Sequence, residues 1–386
     1  MAITIFWTQF LLISFLLFFT IILTKPTYVK KIVSEENVDD QENKNNDFPP
    51  VNIQTKNGHL RGFRIKLEPP PLLLQHTRFR LADIFLGIPF AQPPIERLRL
   101  EKPLPPKNWN GTFDATTIPP ACVPQHVLAA PYYSEDCLYL NLFRPTIENK
   151  KRTTILNTSE QNKLPILIFI HGGGFCIGGT FFEGYNNITN NFVSQGIIVI
   201  TIQYRLNFLG IFLFNLFKLF FGNSLKGFFS DGTTKNSGNL GLWDQRQALL
   251  WIRQNVATFG GDPNRVTVWG QSAGAASTSI LSISPYTRDL FQQSIQQSGS
   301  LFAPWALNEG VLESSKKTSL SVGCSFNGAE QECLKQIDLE DLIEGIQKLV
   351  EFLFLNKIDF GRLQGSTRVL ILVEFESTFY EILIVK

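Results

Sequence analysis

The stretch Val266-Thr267-Val268-Trp269-Gly270-Gln271-Ser272-Ala273-Gly274 joins a β-branched run to a cluster of small residues. Val, Thr and Trp are typical of a strand, and the small residues that follow favour a helix packed close to that strand. A G-x-S-x-G turn between a strand and a helix has room only for small neighbours, and it exposes the serine hydroxyl at the end of the sheet. The stretch therefore predicts a nucleophile elbow with Ser272 at its tip.

Two further apolar runs predict strands that are buried on both faces. Ile166–Ile170 and Ile197–Ile200 consist almost entirely of Ile, Leu, Val and Phe, which is typical of the central strands of a parallel sheet. Between these strands and the elbow, Asp244–Val256 has apolar residues at helical spacing. Strands that alternate with helices predict an α/β fold with a mostly parallel, doubly wound sheet.

A glycine loop follows the first of these strands. His171-Gly172-Gly173-Gly174-Phe175 comes directly after Ile170. Glycines at this position can turn backbone N–H groups toward a carbonyl oxygen that becomes negative in a tetrahedral intermediate. We expect the N–H groups of Gly173, Gly174 and Ala273 to form an oxyanion hole. The alternative is that the glycines only form a turn.

The histidines are on the wrong side of the elbow for the usual triad. A neutral serine hydroxyl needs a positioned imidazole to take its proton. In folds with this elbow the triad order is serine, then an acid, then histidine. The four histidines, His59, His76, His126 and His171, all precede Ser272. The sequence thus predicts the nucleophile and its oxyanion donors, with the triad histidine absent.

Composition and residue spacing argue against nucleic acid and metal ions as partners. The chain has 386 residues, 44% of them hydrophobic, which is enough for one large core. Its 35 basic residues face 33 acidic ones, for a net charge of +2, and no dense basic stripe is present. We therefore expect no nucleic-acid partner. No C-x-x-C or paired histidine has ligand spacing, so we predict no metal site. We also predict no cofactor, because acyl transfer through a serine needs none.

The N-terminal region is patterned as a targeting segment. Residues 3–23 are almost continuously apolar, and a polar stretch rich in Glu, Asp and Asn follows. We predict a signal peptide or signal anchor at 1–24 and a polar linker at 25–50. A buried core helix is the weaker alternative, because strong polarity follows at once. The prediction is entry into the secretory pathway, as a secreted or lumenal protein, with a possible membrane anchor through residues 3–23.

Sequons and cysteines agree with an oxidising compartment. Asn110, Asn157 and Asn187 each begin an N-x-S/T triplet, which predicts glycosylation. The five cysteines form two pairs close in sequence, with Cys176 by itself. Two short-loop disulfides and one remaining thiol is the economical arrangement in such a compartment.

Several stretches together resemble the type-B carboxylesterases, the family of carboxylesterases, cholinesterases and non-catalytic adhesion relatives. The similar stretches are Phe259–Pro263 with Gly270–Gly274, Glu135–Asn141, Phe85–Ala91 with Pro93-Pro94, Tyr204–Leu206 and Gly238–Gln245. The resemblance covers about residues 51–349. It implies an α/β-hydrolase fold and serine-dependent hydrolysis of a small-molecule carboxylic ester. Residues 51–350 would form the N-terminal portion of the type-B domain.

The resemblance also implies roles for individual residues. It implies two disulfides and one ion pair, Cys122–Cys137, Cys324–Cys333 and Arg99–Glu135. It makes His171 a scaffold residue rather than the triad base. Gln271 stands where cholinesterases usually carry Glu, which argues against a straightforward cholinesterase.

Two regions depart from the family pattern. We expect this chain to lack the C-terminal part of the fold, which normally carries the triad histidine. In the divergent tail, 351–386, Glu376 is the tentative acid, and a solvated charge is the alternative. Residues 211–226 form an apolar insertion whose composition resembles translated non-coding sequence, so we expect a retained intron or a faulty gene model. As protein, the insertion would either add a core element or expose an adhesive patch.

Two functions remain open from the sequence. The leading interpretation is a carboxylic ester hydrolase that acts by acyl transfer through Ser272 and is incomplete in this chain. The alternative is a non-catalytic adhesion or binding protein on the same fold. The retained Ser272 and glycine loop favour the first interpretation, and the missing histidine favours the second.

Overall fold

The computed structural model describes residues 48–124, 130, 132–147, 163–182, 184–206, 229–230, 232, 238–306, 311–346, 348 and 382–385. For 74–76, 314 and 382–385 only the backbone is described. The predicted targeting segment at 3–23, the insertion at 211–226, Asn157 and Glu376 lie outside these residues. The elements below belong to one unit, Pro49–Lys386.

The described strands form one ten-stranded sheet and a separate two-stranded sheet. In chain order they are β1 Val51–Gln54, β2 His59–Lys66, β3 Leu81–Pro89, β4 Thr112–Asp114, β5 Ala121–Cys122, β6 Tyr133–Ser134, β7 Tyr139–Pro145, β8 Leu164–Ile170, β9 Ile198–Ile202, β10 Gly261–Gln271, β11 Gln293–Gln297 and β12 Ile382–Val385. The large sheet runs β1-β2-β3-β7-β9-β8-β10-β11-β12, with β4 paired to β2, and β5 pairs with β6.

The sheet is mixed, with a parallel centre. β9, β8, β10 and β11 are parallel neighbours. On the other side of β9, strands β1, β2, β3 and β7 pair antiparallel, apart from β4, which is parallel to β2. β12 pairs antiparallel with β11 at the opposite edge. The predicted central strands are confirmed as β8 and β9. Ile168, Ile200 and Ile202 have no exposed surface, which explains why these runs are continuously apolar rather than alternating.

Helices cover the sheet. In chain order they are α1 Tyr185–Asn191, α2 Leu240–Asn255, α3 Ala273–Ile283, α4 Val311–Ser321 and α5 Glu330–Gln336, and residues 339–346 are also helical. The predicted helix at Asp244–Val256 is confirmed as α2, which begins four residues earlier. Asn239 precedes it in the left-handed region, with φ 59°. Among the described residues, no helix is both long and apolar enough to cross a bilayer.

Two disulfides and one ion pair cross-link the segments around Cys122–Cys137 and α5. The structure contains Cys122–Cys137 and Cys324–Cys333, the pairing that the resemblance implies. Arg99 donates to both carboxylate oxygens of Glu135, each at 2.6 Å. Its third guanidinium nitrogen donates to Leu334 O at 2.9 Å. Arg99 therefore joins the Cys122–Cys137 loop to α5, and the bonded Leu334 is 235 residues after Arg99 in sequence.

Candidate active site

Ser272 lies between β10 and α3 with a strained backbone. Its φ of 54° and ψ of −118° lie outside the regions that non-glycine residues prefer, at a cost on the order of 1–3 kcal/mol. Its N–H donates to Gln297 O of β11 at 2.8 Å, and its carbonyl accepts from Ala276 N at 3.0 Å. These two bonds hold the serine in the strained conformation. The side chain is only half-buried, so a substrate can reach it.

The elbow requires glycine at three positions because backbone atoms approach closely. A Cβ on Gly270 would lie 2.0 Å from Gly274 O, and a Cβ on Gly274 would lie 2.0 Å from Ile170 O. Gly299 follows β11, and a Cβ there would lie 2.3 Å from Ser272 O. Real Cβ atoms do not approach so closely, and therefore larger residues would displace the serine. Two of these glycines belong to the G-x-S-x-G motif, and sequence analysis did not single out Gly299.

The glycine loop lies directly against the elbow. A Cβ on Gly172 would be 2.8 Å from Gln271 O and 3.1 Å from Ser272 Cβ. Gly173 and Gly174 follow with φ of 107° and 62°, in the region that favours glycine. The structure thus brings the loop and Ser272 together, although they are about a hundred residues apart in sequence.

Backbone N–H groups are available on both sides of this junction. In the loop, Cys176 N and Ile177 N both donate to Gly173 O, at 3.0 and 3.1 Å, and this tight turn presents Gly174 at the surface. On the elbow side, Ala273 is the first residue of α3. An N–H in the first turn of a helix has no acceptor within the helix. Ala273 follows the serine directly, and Gly173 and Gly174 follow Gly172, which lies against it. The use of their N–H groups as an oxyanion hole stays a prediction.

His171 is buried at the start of the glycine loop and has a structural role there. It is 3% exposed, its ring stacks on Tyr204 at 4.4 Å between centroids, and Tyr204 OH donates to His171 O at 2.9 Å. Its Nδ1 donates to Gly172 O at 2.8 Å. Burial lowers the pKa of His171 to about 4, so the imidazole is neutral at pH 7.

The described residues supply Ser272 with no acid–base partner. Among them, Ser272 Oγ makes no hydrogen bond to a histidine or a carboxylate. Glu376, the tentative acid, lies outside the described residues. Sequence analysis also missed Gln297, since the acceptor is a backbone carbonyl and any residue type could supply it.

The two described sequons differ in their surroundings. Asn110 is exposed in a turn before β4, and Thr112 of the same triplet is exposed as well. Asn187 is exposed on α1, but Thr189 of its triplet is fully buried. Thr189 Oγ1 donates to Tyr185 O at 2.8 Å. The Asn110 site is therefore the more accessible of the two in the folded chain.

Comparison with known proteins identifies the family. The model of the "Carboxylesterase family" matches residues 49–366, so the chain belongs to the carboxylesterase family and has its α/β-hydrolase fold. The chain is 41% identical over 269 residues to gut esterase 1 of Caenorhabditis elegans, covering 69% of this chain and 42% of that protein.

Two other relatives are similar over comparable lengths. Liver carboxylesterase 1 of Oryctolagus cuniculus is 34% identical over 317 residues, covering 78% of this chain and 49% of that protein. Neuroligin-2 of Homo sapiens is 34% identical over 337 residues, covering 77% of this chain and 36% of that protein. The chain thus spans less than half the length of each of these curated relatives.

Proposed function

We propose that this chain carries the nucleophile and the oxyanion donors of a carboxylic ester hydrolase. The observation that carries the proposal is the junction of the glycine loop with the elbow, where Gly172 lies against Ser272. A strained serine at a strand-to-helix turn, next to a glycine loop, is the arrangement that acyl transfer requires. The similarity to esterases supports the same reaction.

In the proposed reaction, Ser272 Oγ attacks the carbonyl carbon of a small-molecule ester and loses its proton to a base. The N–H groups of Gly173, Gly174 and Ala273 stabilise the negative oxygen of the tetrahedral intermediate. The alcohol then leaves with a proton, and water hydrolyses the acyl-serine to release the acid. Each donor in an oxyanion hole typically contributes about 3 kcal/mol to the barrier reduction.

The base is the missing element. His171 already donates through Nδ1 to Gly172 O and is buried against Tyr204. Its contacts leave it as part of the scaffold of the loop. We therefore propose that residues 1–386 hydrolyse esters far below the rate of a complete triad, because loss of a triad member typically costs several orders of magnitude.

Fluorophosphonate labelling tests this proposal, since the probe reacts with an activated serine. We expect slow labelling of the 386-residue chain and rapid labelling of a fusion that adds the C-terminal portion of gut esterase 1. Ser272→Ala in the fusion should abolish the signal. Rapid, Ser272-dependent labelling of the chain alone would show that another base serves the nucleophile and would contradict our account.

A non-catalytic binding protein is the second candidate. It is favoured by the position of all four histidines before Ser272, and the similarity to neuroligin-2 is compatible with it. The same fusion separates the two functions. A fusion that unfolds cooperatively but is not labelled would favour the binding protein.

We also propose that the protein enters the secretory pathway. The two disulfides support this, because disulfides persist mainly in oxidising compartments. Peptide mapping of secreted protein should find a glycan on Asn110. Recovery of the protein only in the cytosol, with reduced cysteines, would contradict the proposal.

A further inference from the structure

A partly open cavity lies between the Cys122–Cys137 loop and the helical segment 339–346. The space between its walls, together with the open solvent at its mouth, is about 850 Å³. Its walls are largely apolar: Leu100, Leu206, Phe229, Leu240, Leu342 and Ile346 are among the lining residues, with the Cys122–Cys137 disulfide. Neither Ser272 nor the glycine loop lines it. The cavity is therefore separate from the candidate active site.

The helical segment 339–346 presents one apolar face to the cavity. Leu339, Leu342, Ile343 and Ile346 all line it, and their spacing of three and four residues places them on one side of a helix. Leu342 is 2% exposed, whereas Leu339 and Ile343 are only half-buried. Half-buried leucine and isoleucine at a concave surface leave apolar area that a ligand could cover.

The charged groups in the wall are already paired. Arg99 uses two guanidinium nitrogens on Glu135 and the third on Leu334 O. Arg205 uses two on Asp244, at 2.8 and 2.6 Å, and the third on Glu101 O at 2.8 Å. Every guanidinium nitrogen thus has an acceptor. An anionic ligand would have to break these bonds, so the wall favours an uncharged molecule.

The walls are held in place before any ligand binds. One disulfide closes the loop on one side, and Cys324–Cys333 constrains the chain that leads into α5 on the other. Arg99 joins the two sides through Glu135 and Leu334. Such a pre-formed cavity loses little conformational entropy when it binds a ligand.

We propose that this cavity is a binding site for a small, uncharged, apolar molecule. Apolar cavities are poor sites for water, and they bind apolar molecules of matching size. The proposal does not depend on ester hydrolysis, because it uses none of the residues around Ser272.

Titration with N-phenyl-1-naphthylamine, a neutral apolar probe that fluoresces on leaving water, tests the site. We expect saturable binding to the 386-residue chain, unchanged in Ser272→Ala. Ile343→Trp places an indole in the cavity and should weaken binding at least tenfold. Leu320→Trp is the matched control, because Leu320 is 54% exposed on α4, and its binding should stay within twofold of the parent chain.

Each contrary outcome overturns the proposal. The parent chain could fail to bind N-phenyl-1-naphthylamine saturably. Alternatively, the parent chain and Ile343→Trp could bind the probe equally well. If circular dichroism shows that Ile343→Trp does not fold, Leu339→Trp decides by the same comparison.

Discussion

The Ser272 elbow and the Cys122–Cys137 loop are stabilised by different kinds of contact. At the elbow, backbone atoms approach to distances that exclude any side chain, as at Gly270 and Gly274. At the loop, a disulfide and the side chains of Arg99 and Glu135 join segments that are far apart in sequence. We therefore expect substitutions that enlarge a residue to destabilise the elbow. Substitutions that remove side-chain atoms should destabilise the loop.

Adding one methyl group at the elbow should have the largest effect. The Cβ of Gly270→Ala would lie 2.0 Å from Gly274 O, and because backbone cannot shift as a side chain can, we expect a loss of about 4 kcal/mol in the free energy of unfolding. Urea denaturation measures it. Gly111→Ala is the control, since a Cβ there would have nothing within 4 Å; its φ of 74° should by itself cost about 1 kcal/mol. Equal losses in the two variants would show that the close approach is unimportant.

Acid should act on the glycine loop through His171. Its pKa is lowered to about 4 by burial, against about 6.5 in the unfolded chain. As the pH falls, the unfolded chain therefore takes up a proton on His171 before the folded chain does. The free energy of unfolding is unaffected by His171 above about pH 6.5 and decreases as the pH falls toward about 4. The expected loss is roughly 3 kcal/mol.

Unfolding by urea at a series of pH values checks the His171 prediction. His171→Phe keeps an aromatic ring beside Tyr204 and removes the titrating group, so its stability should depend less on pH between 6.5 and 4. The same pH dependence in both proteins would mean that His171 does not titrate as its burial indicates.

Removing the charge of Arg99 at the Cys122–Cys137 loop should lower the free energy of unfolding less than Gly270→Ala or the protonation of His171 does. Arg99→Leu leaves the carboxylate of Glu135 largely buried, at 18% side-chain exposure, and we expect a loss of about 2 kcal/mol. Arg61→Leu removes a pair with Asp114 of similar length, but both side chains are about half exposed. Its loss should be smaller than that of Arg99→Leu, because water and salt screen an exposed ion pair. Thermal or urea unfolding compares the two, and a larger loss for Arg61→Leu would contradict the role of burial.

Much of the fold could be predicted from local patterns. The central strands and the elbow follow from continuous apolar runs and from small residues around Ser272, because these features arise from contacts within a few residues. Boundaries were less predictable, and α2 begins at Leu240 rather than Asp244. The antiparallel flank was not predicted in detail, since pairing depends on strands that meet only in the folded sheet.

The sequence by itself determined which chemistry is present: a serine at a strand-to-helix turn, a glycine loop and no histidine after Ser272. Only the tertiary structure decided how these parts are used. The packing of β11 beside β10 places Gln297 O where it accepts from the Ser272 N–H. Burial of His171 against Tyr204 lowers the pKa of its imidazole and keeps it neutral at pH 7. The tertiary structure also paired Arg99 with Leu334 O across 235 residues. Any residue type can supply a backbone carbonyl as an acceptor, so the sequence does not mark which residue will do so. Burial, and the pKa shift that it causes, arises only when distant segments pack together.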